Sequence, residues 1–169
     1  LASQIANATD DVRRDTRRWS DDKSILGPAA NRVRARLPGF RKALPPAVDV
    51  LGRKQPQNPT GIAAFSKLVG TSERPDPVQD ELLRLGWAPG YVGKEFSRDK
   101  VTYKLTRQQW LDYQKEAGTL AYSRLTSLFE SDRYRDASEE QRLEMAQKVV
   151  SDTRTAVRGQ VKRRVMTAQ

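Results

Sequence analysis

The sequence contains no cysteine and no histidine. Without cysteine there are no disulfides and no thiolate nucleophiles, and without histidine there are no imidazole bases. Structural zinc sites and haem ligation lose their usual ligands for the same reason. These are the side chains on which most enzyme classes depend. We therefore expect a protein that is not an enzyme and that uses no cofactor, no metal and no small-molecule substrate.

Long apolar runs are also missing, and none approaches the roughly 18 residues that a membrane helix needs. No signal-peptide pattern opens the chain. Of its 169 residues, 37% are hydrophobic and 31% are charged, which leaves little material for a compact core. The chain begins at Leu1 inside a helical pattern, so we expect it to be a fragment of a longer protein.

Acidic residues are scarce relative to basic ones. The chain has 21 of the former and 31 of the latter, which gives a formal net charge of +10 at pH 7. Such a surplus attracts polyanions, among them DNA, RNA and anionic membrane surfaces, and it does not choose between them.

Residues 1 to 27 are predicted to form an amphipathic helix followed by a linker. Ile5, Val12 and Trp19 lie seven residues apart, so a helix over residues 2 to 19 carries one narrow apolar stripe. The basic residues between them lie within helical reach of several aspartates, and we interpret that face as solvated.

Residues 28 to 74 differ in composition and are predicted to form an extended, proline-rich docking arm with short helices. One helix is expected over residues 29 to 36, because Pro28 suits a helix start and the Pro38-Gly39 pair suits its end. Another is expected over residues 61 to 70, where apolar residues recur at helical spacing between two glycines.

Between these helices lies the stretch RLPGFRKALPPAVDVLGR, residues 36 to 53. Its prolines exclude a continuous helix or a central strand, yet its aliphatic side chains favour burial. We therefore predict that this stretch docks on a neighbouring subunit. The predicted partner-docking residues are Leu37, Pro38, Phe40, Leu44, Pro45, Pro46, Val48 and Leu51.

Residues 75 to 169 are predicted to form a small helical unit with a short β-hairpin. Asp76 precedes Pro77 and suits the N-cap of a helix that ends at Gly86. Alternating side chains then predict a hairpin, with strands over residues 91 to 96 and 101 to 105 and a turn over residues 97 to 100.

Three helices are expected after the hairpin. The first runs from a cap at Thr106 to Gly118, and the second continues from Leu120 through Phe129. The third begins at a capping box, in which Ser138 and Gln141 satisfy each other's free amides, and it runs to the C-terminus.

Several patterns favour ordinary structure over function. The glycine spacing of residues 86, 90 and 93 follows a helix and leads into a strand, whereas a phosphate loop needs the reverse order. The acid pairs at 21–22 and 139–140 fit a charged linker and a helix cap. Aromatic residues that could stack on bases lie at helical spacing beside leucines, and we interpret them as core: Trp87, Trp110, Tyr113, Tyr122 and Phe129.

The end of the last helix carries a cationic tail with no acid from Thr153 onward. Five positive charges on one helix end can neutralise several phosphates of a nucleic acid. A solvated tail that complements the helix dipole explains them equally well, and both interpretations stay open. The candidate nucleic-acid contacts are Arg154, Arg158, Lys162, Arg163 and Arg164.

A set of short motifs over residues 33 to 160 forms a recognisable signature. It consists of LPGFR at residues 37 to 41, LPPAVDVLG at 44 to 52, Glu81-Leu82 with Leu85-Gly86, Lys104-Leu105-Thr106, Tyr113, Gly118, and Ser131-Asp132-Arg133-Tyr134 before the capping box. This order resembles the C-terminal region of large virion-associated, polyvalent bacteriophage proteins, including the internal or ejection proteins of short-tailed phages.

The resemblance implies a non-catalytic segment of a long multidomain protein that is packaged inside the capsid near the portal. It implies delivery with the genome into the host envelope. The implied partners are portal, tail or other ejection proteins and further copies of the chain, with non-specific contact to packaged DNA. Some relatives instead protect incoming DNA, so a DNA-binding or DNA-protecting protein is the alternative function.

Two other functions stay open as rivals. A nucleic-acid-binding regulator would need base-reading residues on an exposed helix, and the sequence offers charge without a recognisable reading helix. An enzyme would need a titrating polar constellation among the acids of residues 76 to 140.

Overall fold

The computed structural model describes residues 13–16, 27–37, 44–54, 76–98 and 100–167. This part of the chain is mainly helical with one two-stranded antiparallel hairpin, which confirms the predicted fold class. The elements in chain order are α1 (Gly27–Arg36), α2 (Pro77–Arg84), β1 (Glu95–Arg98), β2 (Val101–Lys104), α3 (Arg107–Glu130), α4 (Asp132–Arg135) and α5 (Glu139–Thr167). The helix predicted over residues 61 to 70 lies outside the described residues.

Helix α2 begins and ends as its sequence predicts. The Asp76 side chain accepts hydrogen bonds from the amides of Val78 and Gln79, both at 3.1 Å, and Pro77 occupies the first turn. At the other end Gly86 adopts a φ of +62°, where a side chain would be strained. The Trp87 amide donates back to the Leu82 carbonyl at 3.1 Å. This pattern closes the helix as a Schellman motif.

The hairpin is shorter and lies further along the chain than predicted. Its register pairs Glu95 with Lys104 and Phe96 with Tyr103, and the strands are joined by two residues only. Lys100 in this turn has a φ of +65°, the backbone geometry of a tight two-residue hairpin. The Phe96 and Tyr103 rings stack at 5.4 Å. The stretch before Glu95 is loop rather than strand, because Trp110 and Gln114 bind its backbone in place of a partner strand.

Helix α3 corrects a second prediction, since it continues through Gly118 for 24 residues. It starts at the predicted cap, where the Gln109 amide donates to Thr106 Oγ1 at 3.3 Å and the Thr106 amide donates to Gln109 Oε1 at 2.9 Å. The two helices that the sequence suggested on either side of Gly118 are one. Gly118 lies inside it because another segment needs the space that a side chain would occupy.

Helix α5 returns antiparallel to α3 after the short helix α4. Its predicted capping box is present, with the Gln141 amide donating to Ser138 Oγ at 3.3 Å and the Ser138 amide donating to Gln141 Oε1 at 3.0 Å. The buried face of α5 follows the period of a helix: Ala146, Val150, Thr153, Val157, Val161 and Val165. No helix in the described part of the chain is long and apolar enough to cross a membrane.

The α3–α5 pair supports two apolar clusters. One surrounds Trp110, which is fully buried, and includes Phe96 of the hairpin and Val157 of α5. The other surrounds Leu125 and joins α2, through Leu82, to Val150. Trp110 and Tyr113 are therefore core residues as predicted, and the hairpin and α2 are held at opposite ends of the same helix pair.

Residues 13–16 differ from the helix predicted over residues 2 to 19. They are extended and form an antiparallel bridge between Arg14 and Pro46. The Asp15 amide donates to the Pro45 carbonyl at 3.0 Å, and the Ala47 amide donates to the Arg13 carbonyl at 2.7 Å. The prolines lack amide donors but keep their carbonyl acceptors, so they suit the edge of such a pairing. The rest of that prediction lies outside the described residues.

Candidate functional site

The segment of residues 44–54 lies against helix α3 of its own chain. Leu44, Val48, Val50 and Leu51 are 2–7% exposed. Removal of this apolar area from water stabilises the fold by about 25 cal/mol per Å². Residues 44–54 and the α3 surface beneath them are named the arm seat. The predicted docking does occur, but within the molecule.

Docking of the arm residues on a neighbouring subunit stays a prediction, but the geometry limits which of them can take part in it. Val48 and Leu51 are buried by α3 and the loop before the hairpin. Leu44 is also buried, and Pro45 and Pro46 are half-buried. None of the three aliphatic anchors is left for a neighbour, because a helix of the same chain offers a matching surface. Leu37 remains 38% exposed. Pro38 and Phe40 lie outside the described residues.

Two glycines allow the backbones of the arm seat to touch. A Cβ placed on Gly118 would lie 2.5 Å from both the Gly52 nitrogen and the Leu51 oxygen. A Cβ on Gly52, whose φ is +77°, would lie 2.7 Å from Lys115 Cα. Real Cβ atoms do not approach so closely, so both positions require glycine.

Gln114 holds the arm and the loop before the hairpin to α3 with one side chain. It is fully buried, its Nε2 donates to the Val50 carbonyl at 2.8 Å, and its Oε1 accepts from the Val92 amide at 2.9 Å. Trp110 Nε1 donates to the Val92 carbonyl at 3.0 Å. Buried backbone groups that would otherwise lack partners are thereby satisfied. Gln114 is not among the predicted site residues, although a glutamine four residues after Trp110 on the apolar stripe is a usable signal.

The arm turns back at residues 49–53 around a buried carboxylate. Asp49 Oδ1 accepts from the amides of Leu51 at 2.9 Å and Arg53 at 2.8 Å, and its Oδ2 accepts from Arg53 Nε at 2.9 Å. Asp49 is 1% exposed. Burial raises the pKa of this carboxyl, and the Arg53 charge opposes the rise without cancelling it.

Arg53 extends this cluster to helix α2. Its Nη1 donates to Asp76 Oδ2, and the same aspartate accepts from the Tyr122 hydroxyl at 3.2 Å while capping α2. The guanidinium lies 5.9 Å from the centre of the Tyr122 ring. One cation thus joins the arm, the start of α2 and the middle of α3, although some 20 residues separate Arg53 from Asp76 in the sequence.

A second polar cluster lies where α2, α4 and α5 meet. The Tyr134 hydroxyl donates to Glu81 Oε1 at 2.5 Å, and Arg84 forms an ion pair with the same carboxylate at 2.7 Å. Burial, with the Glu81 carboxylate adding to it, raises the pKa of Tyr134 to about 12. The hydrogen bond from Arg84 lowers the pKa of Glu81. Arg142 lies over the Tyr134 ring at 5.4 Å.

The predicted nucleic-acid contacts separate into three kinds. Arg164 forms an ion pair with Glu116 of α3 at 2.5 Å, so its charge is offset. Arg154 donates to the Gly90 carbonyl, and Lys162 Nζ lies 3.4 Å from the Ser97 carbonyl. Arg158 and Arg163 are exposed, and within the described chain neither forms an ion pair.

Other candidate sites are small or absent in the described part of the chain. A cleft between α3 and α5, lined by residues that include Tyr113 and Arg164, has a volume of about 120 Å³, below the several hundred Å³ of ordinary ligand pockets. No cluster of three or more acidic, histidine or cysteine side chains suits a metal ion among the described residues.

The apolar, aromatic and glycine residues of the sequence signature share one property in the structure. With the exceptions of Leu37 and of the half-buried Pro45 and Pro46, those that the structure describes pack in the core, shape a turn or permit a close backbone approach: Leu44, Ala47, Val48, Val50, Leu51, Gly52, Leu82, Leu85, Gly86, Leu105, Tyr113, Gly118 and Tyr134. They do not converge on an open cleft. The signature therefore specifies an architecture.

Comparisons of this chain with protein-family models, with curated proteins and with solved structures found no match.

Proposed function

We propose that this chain is a structural assembly segment of a bacteriophage internal virion protein of the ejection type. In this role it lies near the portal or tail inside the capsid, contacts other virion proteins or further copies of itself, and supports delivery of the genome into the host envelope. The proposal assigns it no catalytic step.

The observation that supports this function is the architectural role of the signature residues. A module that holds distant segments of a long chain together needs glycines at backbone contacts, buried hydrogen-bond bridges and helix caps. Gly118 of the signature supplies the first of these devices, and Gln114 and Asp76, which lie outside the signature, supply the other two at the arm seat and at the start of α2. In the described part of the chain, four exposed large aliphatic residues remain for contacts with other virion proteins: Val33, Leu37, Val101 and Leu120.

The location of the chain in virus particles tests this function. Antibodies raised against the chain would be applied to purified particles from the natural source, before and after genome release in vitro. We expect the protein in intact particles and its loss, together with the DNA, on release. Recovery from infected cells but never from particles would contradict the assembly function.

Non-specific contact with DNA is the second candidate function. The net charge of +10 and the exposed, unpaired cations Arg158 and Arg163 favour it. A salt series of duplex binding tests it, since contacts to phosphates weaken as salt rises. A chain that fails to bind duplex DNA even at low salt would contradict it.

A further inference from the structure

Three cations form a stripe along one flank of α5. Arg154, Arg158 and Lys162 are spaced four residues apart, so they lie on the same side of the helix, about 6 Å apart along its axis. The flank faces the loop before the hairpin and the hairpin itself, because Arg154 contacts Gly90 and Lys162 contacts Ser97. Arg163 follows Lys162 directly and lies about 100° further round the helix, so its exposed charge is beside the stripe and not within it.

The partners of the two outer cations hold them in place without neutralising them. Both acceptors are backbone carbonyls, which carry no net charge. Lys162 also lies 5.4 Å from the centre of the Phe96 ring, a contact that orients an ammonium group but leaves its charge unbalanced. Burial lowers the pKa of Arg154, and no carboxylate offsets the effect. The stripe is therefore bonded to backbone carbonyls at its ends, and no acid in the described part of the chain compensates its charge.

The neighbouring cation on the other flank shows the contrast. Arg164 is neutralised by Glu116, and further up the helix Lys148 is paired with Asp152 at 3.1 Å. From Glu139 to Asp152 the helix carries four acids and two bases, whereas the part from Thr153 to Thr167 carries five bases and no acid. The positive charge of α5 is thus concentrated where the stripe lies.

We infer that Arg154, Arg158, Lys162 and Arg163 form a contact face for the phosphate backbone of duplex nucleic acid. The inference rests on the second candidate function, contact with DNA, and is independent of the assembly function. It replaces the predicted set of five by four, since the Arg164 charge is already offset.

The chemistry of the face favours a duplex backbone over a single strand or over base readout. Single-strand sites present exposed aromatic rings on which bases stack, whereas Phe96 and Trp110 beside this face are 4% and 0% exposed. Base readout places side chains in a groove against base edges, most often an arginine that binds guanine through two hydrogen bonds. The two outer cations of the stripe are instead engaged with the backbone carbonyls of Gly90 and Ser97. A row of charges held in this way suits a row of phosphates and carries no sequence preference.

Two double variants of the full chain with the same charge test the face. Arg158→Gln with Arg163→Gln removes its two exposed charges. Arg133→Gln with Lys148→Gln removes two exposed charges from α4 and the first half of α5, so both proteins retain the same net charge. Circular dichroism melts check that both fold. Binding to a fluorescent duplex of arbitrary sequence is followed by anisotropy across a range of salt concentrations.

We expect the first variant to bind roughly tenfold or more weakly at low salt, with a salt slope smaller by about 2, since each phosphate contact contributes about 0.9 to the slope. The control should stay within about threefold of the natural chain. If both variants lost the same affinity for duplex DNA, the chain would still contact DNA, but the contact would not be made through this face. If the natural chain did not bind duplex DNA, both the DNA-contact function and this contact face would be contradicted. Binding to anionic phospholipid vesicles but not to duplex, or a strong preference for one sequence, would also overturn the inference.

Discussion

Gly118 of helix α3 lies directly against the backbone of Leu51. A Cβ at position 118 would lie 2.5 Å from the Leu51 carbonyl oxygen. The contact joins two segments that are far apart in the chain. It is possible only because α3 has a glycine at this position, where a side chain would occupy the space of the Leu51 backbone. Several properties of the protein follow from this contact and from the polar groups around it.

Gly118→Ala should destabilise the protein. Alanine favours a helix over glycine by about 1 kcal/mol, but the added methyl group must displace the arm, and we expect a net loss of about 1–3 kcal/mol. Gly159→Ala in α5 is the matched control, because nothing lies within 4 Å of its added Cβ. It should stabilise by about 0.5–1 kcal/mol. Urea unfolding followed by circular dichroism measures both, and a stabilised Gly118→Ala would contradict the close contact.

Gln114→Leu should cost about 2–4 kcal/mol. The substitution leaves the Val50 carbonyl and the Val92 amide buried without partners, and each such group costs about 1–3 kcal/mol. Gln108→Leu on the exposed face of α3 is the control and should stay within about 0.5 kcal/mol of the natural chain. Thermal unfolding of the three proteins compares them. Equal stabilities for the Gln114 and Gln108 variants would rule out the bridging role.

Arg53→Met should destabilise by about 2–3 kcal/mol, because it leaves the buried carboxylates of Asp49 and Asp76 without their cation. The loss is smaller than the 3–5 kcal/mol of fully buried pairs, since the Arg53 side chain is 35% exposed. In a double-mutant cycle with Asp49→Asn we expect a coupling of about 1 kcal/mol or more. Lys148→Met, which breaks an exposed pair with Asp152, should have almost no effect. Additive effects of the Arg53 and Asp49 substitutions would show that the two residues act separately.

Tyr134 should make stability fall at alkaline pH. Its pKa is about 12 in the fold, against an ordinary value of 10.0. The folded state therefore retains the proton more strongly, and this contribution is complete below pH 10 and is lost as the pH rises toward 12. Free energies of unfolding measured from pH 9 upward should decline more steeply for the natural chain than for Tyr134→Phe. Parallel declines would indicate that Tyr134 titrates normally.

Amide exchange should show that residues 44–54 pack against α3 in the isolated chain. The amides of Leu51 and Arg53 donate to Asp49 Oδ1, and we expect both to exchange slowly in the monomer, with the same protection at all protein concentrations. Protection that appears only as concentration rises would restore docking on a neighbouring subunit. Sedimentation of the same samples establishes which species is measured.

The elements that were predicted well are those whose signals lie within a few residues. The Asp76 cap, the Gly86 stop, and the capping boxes at Thr106 and Ser138 all appear where the sequence indicates them. Each depends on hydrogen bonds between neighbours in the chain, so a short stretch contains the whole cause. The fold class follows from the same local patterns.

The predictions that failed depend on contacts between distant residues. Gly118 has the local signature of a helix end, and only the arm lying across it explains why the helix continues. Residues 13–16 lie within the predicted helix, between its stripe residues Val12 and Trp19, yet Arg14 pairs with Pro46. The position at which residues 44–54 pack could not be derived from their own composition, because the α3 surface that receives them is built from residues 110–121.

By itself, the sequence determined a basic, mainly helical protein without thiol or imidazole chemistry, together with the caps that begin and end its helices. The tertiary structure decided where the arm docks, which buried polar groups it satisfies, and which cations of α5 stay uncompensated. The physical reason is the range of the forces involved. Caps and turns are stabilised between neighbours in the chain, whereas burial and charge compensation depend on surfaces that exist only after distant segments have come together.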